Sequence, residues 1–267
     1  MKKICMLILF FFMASVGFGG SIQIKGSTTV LPIAQKIAEA FMKEYPDIHI
    51  SISGGGSGNG IKALIDGTTD IADSSRFIKQ NEVKMAVSKG RYPVPFAIAY
   101  DCIIPIVHPK NPVSNLTLQQ LRDIYTGKIR NWKQVGGFNK KIVVVSRDTS
   151  SGTYEVWEKK VLRKARVYPG ALLQASNGAV VETVAKNKYA IGYIGLGYLT
   201  KEVKQVKING ILGTPETALD GSYPVSRPLF MFTNGWPKKD VAKFINYVLN
   251  PYKGQKLVKE VGYIPLY

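Results

Sequence analysis

The stretch from Ile22 to Ile52 leaves the chain few ways to fold. Ile22-Gln23-Ile24 alternates as a strand, and Pro32 to Tyr45 places Ile33, Ala34, Ile37, Ala38, Phe41 and Met42 on one helical face. Pro46-Asp47 ends that helix, after which Ile48, Ile50 and Ile52 alternate in a second strand. Two strands joined by one helix run parallel with a right-handed crossover, so an open α/β sheet is expected. Ligands in such sheets bind beyond the carboxyl ends of the strands. Gly26-Ser27-Thr28-Thr29 follows the first strand and Gly54-Gly55-Gly56-Ser57-Gly58-Asn59-Gly60 follows the second. A third turn of this kind, Ser150-Ser151-Gly152-Thr153, comes after the apolar run Ile142 to Val145 and Arg147.

The pattern continues with uneven spacing. Ile61, Leu64 and Ile65 indicate a short helix, Asp70-Ile71-Ala72 a strand and Val83 to Val87 another helix. Thr117 followed by Gln120 is a capping box opening a helix with Leu121 and Ile124. Further on, the chain reads as a helix about Val180 to Lys186, a strand region Ala190 to Gly197, a stretch Val203 to Ile208 and two closing helices. The runs Phe96 to Val107 and Pro228 to Thr233 are paired as segments crossing from one lobe to another, the first being longer than an ordinary strand. The expected architecture is α/β and two-lobed, each lobe a mixed sheet flanked by helices. Residues 21–100, continued by 225–267, form the first lobe and residues 101–224 the second.

Residues 1–20 read as a secretory signal peptide: Lys2-Lys3, the apolar run Ile4 to Met13, then small residues through Gly20. A periplasmic product is expected. Cys5 falls in that segment, which leaves Cys102 alone and excludes an intramolecular disulfide. The formal net charge is +18, or +16 without Lys2 and Lys3, a field that favours anionic partners. The basic residues are scattered and no RNA-recognition signature occurs, so nucleic acid is not the expected partner.

Backbone amides and hydroxyls at the amino end of a helix hold oxyanions without a metal. The candidate ligand set is Ser27, Thr28, Thr29, Val30, Ser57, Ser151, Gly152 and Thr153, with Arg147 adding a planar fork. No cofactor is expected, and two histidines with one mature cysteine argue against a transition-metal site. The Gly-rich run satisfies neither G-x-G-x-x-G nor a P-loop, and Ser57 lacks the flanking pattern of a nucleophile elbow. Outside binding proteins, the competing reading is an exported phosphatase or esterase using Ser57 or Ser151, and His49 and His108 are the only histidines available as bases.

These residues resemble the phosphate-binding proteins of ABC phosphate importers, which have the type II periplasmic binding-protein fold. The resemblance runs from Ile22 to Tyr267 through Gly-Ser-Thr-Thr-Val at 26–30, Gly-Ser-Gly-Asn-Gly at 56–60, Asp-Ile-Ala-Asp-Ser-Ser-Arg at 70–76 and Arg-Asp-Thr-Ser-Ser-Gly-Thr at 147–153. Gly192-Tyr193, Gly254-Gln255 and Gly262-Tyr263-Ile264-Pro265 also fit. It implies inorganic phosphate as ligand, contacts from Thr29, Val30, Ser57, Ser75, Arg147, Ser151, Gly152 and Thr153, and delivery by a monomeric carrier to ABC permease subunits in the inner membrane. Some members carry an acidic residue at the position of Ser75 that accepts the phosphate proton. Here Ser75 is neutral, which leaves Asp73, Asp101 or Asp148 for that part and keeps sulfate or another tetrahedral oxyanion as the alternative ligand.

Overall fold

The computed structural model describes residues 20–267, so the expected signal segment, with Cys5, lies outside the described residues. The chain begins with β1 (Ser21–Gly26), α1 (Leu31–Glu44), β2 (His49–Ser53), α2 (Ser57–Asp66), β3 (Ile71–Ser74) and α3 (Gln80–Ser88). Pro32 presets the first turn of α1, and the buried stripe Ile33, Ala34, Ile37, Ala38 and Phe41 is the face read from the sequence. As the crossover requires, β1 pairs parallel with β2, Ile22 against Ile50 and Ile24 against Ile52. Its other edge pairs parallel with β3.

The fifteen-residue β4 (Pro93–Val107) then leads into β5 (Asn115–Leu116), α4 (Leu118–Tyr125), β6 (Val143–Arg147), α5 (Gly152–Trp157), β7 (Leu172–Gln174) and α6 (Asn177–Ala185). After these come β8 (Ala190–Gly195), β9 (Lys204–Gln205), β10 (Lys207–Ile208), α7 (Pro215–Leu219), β11 (Ser226–Asn234), α8 (Lys239–Leu249) and α9 (Gly254–Glu260). The capping box at Thr117 is formed: Thr117 Oγ1 accepts the Gln120 amide at 3.0 Å and Gln120 Oε1 accepts the Thr117 amide at 2.9 Å. Val203 to Ile208 divides into two short strands, because β9 pairs with β4 and β10 turns away to pair with β5.

Each lobe carries a mixed sheet, and β4 and β11 join the two sheets in the order β2-β1-β3-β11-β4-β8-β6-β7. They pair antiparallel from Ser226 opposite Cys102 to Asn234 opposite Pro93, with Ile98 as an extra residue opposite the Leu229–Phe230 step. The Ile98 carbonyl accepts instead from Gln255 Nε2 at 3.0 Å, so the bulge leaves no buried acceptor stranded.

The apolar packing follows the lobes. Ile22, Ile24, Ile33, Phe41, Ile98, Met231 and Phe244 fill the space between the first sheet and α1, α8 and α9. Leu64, Ala72, Ala86 and Phe232 pack on its other face. A separate cluster gathers Cys102 to Val107 of β4 with Trp132, Trp157, Tyr193 and Val225, and Trp157 stacks on Tyr193 at 4.4 Å. Each large side chain so buried stabilises the fold by ~1.5–3 kcal/mol. Cys102 belongs to the same cluster as a small buried hydrophobe.

Candidate functional site

The three hydroxyl-bearing turns meet between the two cores. Ser27, Thr28, Thr29, Ser57, Ser75, Ser151 and Thr153 are all buried, as are Val30, Gly152 and Arg147. Thr29 Oγ1 lies 2.9 Å from Thr153 Oγ1 on the opposite side. Ser57 Oγ lies 3.2 Å from Ser75 Oγ and accepts the Ser75 amide at 3.0 Å. All ten residues expected to touch the ligand therefore belong to one region.

Local turn chemistry determines which donors remain available. Ser27 Oγ accepts the Thr29 amide at 3.1 Å and, weakly, the Val30 amide at 3.4 Å, so Ser27 shapes its own turn ahead of α1. Ser151 Oγ accepts the Tyr154 amide at 3.2 Å and caps α5, which leaves Gly152 and Thr153 in the first turn with their amides toward the helix entrance. Asp148 Oδ1 accepts the Ser150 amide at 2.8 Å and the Ser150 hydroxyl, so this carboxylate is used in folding the turn.

Glycines let the turns approach one another. A Cβ on Gly152 would stand 2.4 Å from Ser57 Oγ and 2.8 Å from Ser75 Oγ. Gly56 has φ +99° and faces Ser150, where a Cβ would lie 2.7 Å from the Ser150 carbonyl oxygen. That carbonyl accepts the Gly58 amide at 2.9 Å, a backbone bond from the first lobe to the second.

Arg147 departs from the expected two-oxygen fork. Its Nε donates to the Gln174 carbonyl at 3.0 Å, and Nη2 donates to the Ala175 carbonyl at 2.9 Å and Thr28 Oγ1 at 3.3 Å. Those bonds fix the plane of the guanidinium and leave Nη1, buried and without a partner among the described residues. All its acceptors are neutral. Burial pulls Arg147 below the usual arginine range, and an anion is the group that would offset that desolvation.

The sequence reading missed two further residues. Asn177, fully buried at the start of α6, donates from Nδ2 to Thr28 Oγ1 at 3.2 Å and Thr29 Oγ1 at 3.0 Å. Ser176-Asn177-Gly178 follows a strand and opens a helix, so the same turn signature would have found it. Arg227, at the start of β11, donates from Nη2 to Thr29 Oγ1, Thr153 Oγ1 and Asp101 Oδ2 at 3.3, 3.0 and 2.9 Å. Its Nε reaches the same Asp101 oxygen at 3.1 Å, and its Nη1 reaches the Ser75 carbonyl at 3.0 Å. Burial raises the Asp101 carboxyl, opposed by Arg227 and by the amides of Leu196 and Cys102. Every group facing Asp101 there is a donor, the set an ionised carboxylate accepts.

Two tyrosines complete the frame, Tyr198 donating to the Thr28 carbonyl at 2.6 Å and Tyr263 to the Thr29 carbonyl at 2.7 Å. The Ser57 hydroxyl contacts the hydroxyl and amide of Ser75, and the Ser151 hydroxyl accepts the Tyr154 amide, with no histidine or carboxylate hydrogen-bonded to either among the described residues. His49 lies exposed on β2, and His108 Nδ1 accepts the Lys110 amide. The esterase reading finds no general base here. What remains is a buried cluster of hydroxyls, helix-entrance amides and a guanidinium, a donor set suited to a compact oxyanion.

Residues 17–251 match the PBP superfamily domain. The Staphylococcus epidermidis phosphate-binding protein PstS is 38% identical over 259 residues, covering 92% of this chain and 78% of that one. Among solved structures, a phosphate ABC transporter substrate-binding protein from Clostridium perfringens with bound phosphate superposes with TM-score 0.87 and 38% identity, covering 93% of this chain and 100% of that one. An ABC-type phosphate transport receptor from Vibrio cholerae superposes with TM-score 0.74 and 34% identity, covering 91% and 99%.

Proposed function

The chain belongs to the PstS family of phosphate-binding proteins within the PBP superfamily, and on that premise we propose that it captures inorganic phosphate between its lobes and delivers it to an ABC importer. The observation that carries this reading is Arg147 Nη1, a buried cationic donor with no partner among the described residues, beside the buried hydroxyls of Thr28, Thr29 and Thr153. A phosphate there meets that nitrogen, the Ser57, Ser75 and Ser151 turns, and the amides of Val30, Gly152 and Thr153 at helix entrances. Charge-assisted bonds stabilise by ~1.5–3 kcal/mol each. Micromolar affinity needs about 8 kcal/mol, so a handful suffices.

The separate packing on the two sheets supports a division into residues 21–100 with 225–267 as one lobe and 101–224 as the other, with β4 and β11 as the crossing strands. The protein works as a carrier, with no chemical step of its own. It is exported through the cleaved segment 1–20, acts outside the cytoplasm as a monomer, and docks on ABC permease subunits.

Calorimetric titration of the phosphate-stripped protein with phosphate, with and without excess sulfate, tests the reading. One-to-one binding indifferent to sulfate is expected, and Arg147→Ala is expected to weaken it at least tenfold. Heat abolished by sulfate would move the reading to another tetrahedral oxyanion. No heat would end it.

A further inference from the structure

We propose that Arg227, clamped by Asp101 where the two crossing strands meet, is the positioning residue that sets the direction of the hydrogen bonds in the buried hydroxyl cluster of Thr29 and Thr153. This deepens the oxyanion reading and rests on it. Asp101 and Arg227 are register partners on β4 and β11, and both are buried. The arginine therefore sits on the strands that join the lobes while reaching hydroxyls of both: Thr29 from the first and Thr153 from the second.

The inference follows from counting hydrogens. A hydroxyl has two lone pairs and one hydrogen. The Gly195 amide donates to Asn177 Oδ1 at 3.3 Å, which fixes the side-chain amide so that Nδ2 faces the two threonines. Arg227 Nη2 has two hydrogens for three acceptors: one serves Asp101 Oδ2, and the other is shared between Thr153 Oγ1 and, at the longer 3.3 Å, Thr29 Oγ1, which also accepts from Asn177 Nδ2. Thr29 Oγ1 thus faces two donors, Asn177 and Arg227, where Thr153 Oγ1 faces one, so the arrangement that puts three hydrogens on neither oxygen is Thr29 donating to Thr153. Thr153 Oγ1 then accepts from Thr29 and shares the Arg227 Nη2 hydrogen, which leaves its own hydrogen free for an anion. Thr28 Oγ1, accepting from Arg147 Nη2 and Asn177 Nδ2, is forced outward in the same way.

Three threonine hydroxyls that would otherwise rotate freely between donating and accepting are thus set to donate. No rotor needs reorganising when the anion arrives, a form of preorganisation. Lysine would keep the charge at 227 but lacks the planar fork that grips Asp101 and both threonines together.

Phosphate titration of the full mature chain tests this through Arg227→Lys in two backgrounds, unaltered and Thr153→Val. Arg227→Lys is expected to lower phosphate affinity at least tenfold in the unaltered chain and less than threefold once the Thr153 hydroxyl is gone, because the arginine acts through that hydroxyl. Equal losses in both backgrounds, or no loss in the first, would overturn the proposal. A purely structural hinge role predicts equal losses. If the lysine variant fails to fold, the near-isosteric Thr29→Val and Thr153→Val decide: each must weaken binding at least tenfold with Arg227 intact, and wild-type affinity in either overturns it. Loss of phosphate binding by the unaltered chain would defeat the oxyanion reading itself, whereas wild-type binding with indifferent variants defeats only the role of Arg227.

Discussion

Asp73 is the residue whose burial is least compensated. It lies on β3 with 2% of its surface exposed, and its Oδ1 has no partner among the described residues. Burial raises its carboxyl well above the ordinary value, so the folded chain keeps this proton to higher pH than the unfolded chain does. Through that window the native state binds more protons, and stability falls as pH rises from the unfolded pKa toward the folded one. Asp73→Asn keeps the shape and removes the titration. The variant is expected to melt at least about 2 °C above the parent at pH 7, and the difference to vanish near pH 4, in thermal unfolding followed by circular dichroism. An equal difference at both pH values would show that the carboxyl is not held protonated. The neighbouring chemistry was unevenly legible. Serines, threonines and glycines between a strand and a helix announce themselves, whereas Asp101 and Arg227 lie in and beside long apolar runs. A lone charge in such a run needs a buried partner, but naming it requires the β4–β11 register, which no local pattern carries.

At the scale of elements, α5 and its entry turn concentrate the consequences of close approach. Alanine at 152 suits a helix better than glycine, yet its Cβ would meet Ser57 Oγ at 2.4 Å across the cleft. The strain exists only while the lobes touch. Gly152→Ala is therefore expected to leave the melting temperature of the ligand-free chain unchanged or slightly higher, and to weaken phosphate binding at least a hundredfold by calorimetry. Near-normal affinity would mean that the anion is held without this closed geometry. The elements themselves were readable because apolar periodicity and end signals agree: Ile33, Ile37 and Phe41 share the inner face of α1, and Thr117 with Gln120 opens α4. What the pattern could not supply was the pairing of β4 with β11 and the bulge at Ile98. Leu229 to Thr233 of β11 and Asp101 to Val107 of β4 are buried at every residue, so alternation, which reports a single buried face, is silent about register there.

Across the whole molecule, ion contacts outside the hydroxyl cluster also join the two lobes. Glu155 of α5 stands 2.9 Å from Arg76 Nε and 2.7 Å from Lys79 Nζ, both on the other lobe, and Arg76 is held in turn by Glu82 at 2.6 Å. Arg76 is 6% exposed and Glu155 15%, so solvent screens their attraction less than it screens a surface pair. Glu155→Gln removes a negative charge near an anion site and also removes an attraction that holds the lobes together. The two effects have opposite signs. The added positive field speeds phosphate arrival slightly, while the weakened contact lets the lobes part more often. If the anion is held only between joined lobes, the second effect dominates, at about 1 kcal/mol or a fivefold loss of affinity carried mainly by faster release. Stopped-flow fluorescence can follow it through Trp157, which is stacked on Tyr193 at the far end of the same helix. A release rate unchanged by Glu155→Gln, with affinity equal to or above that of the parent, would mean that the anion alone closes the lobes and that the Arg76–Glu155–Lys79 contact only accompanies closure.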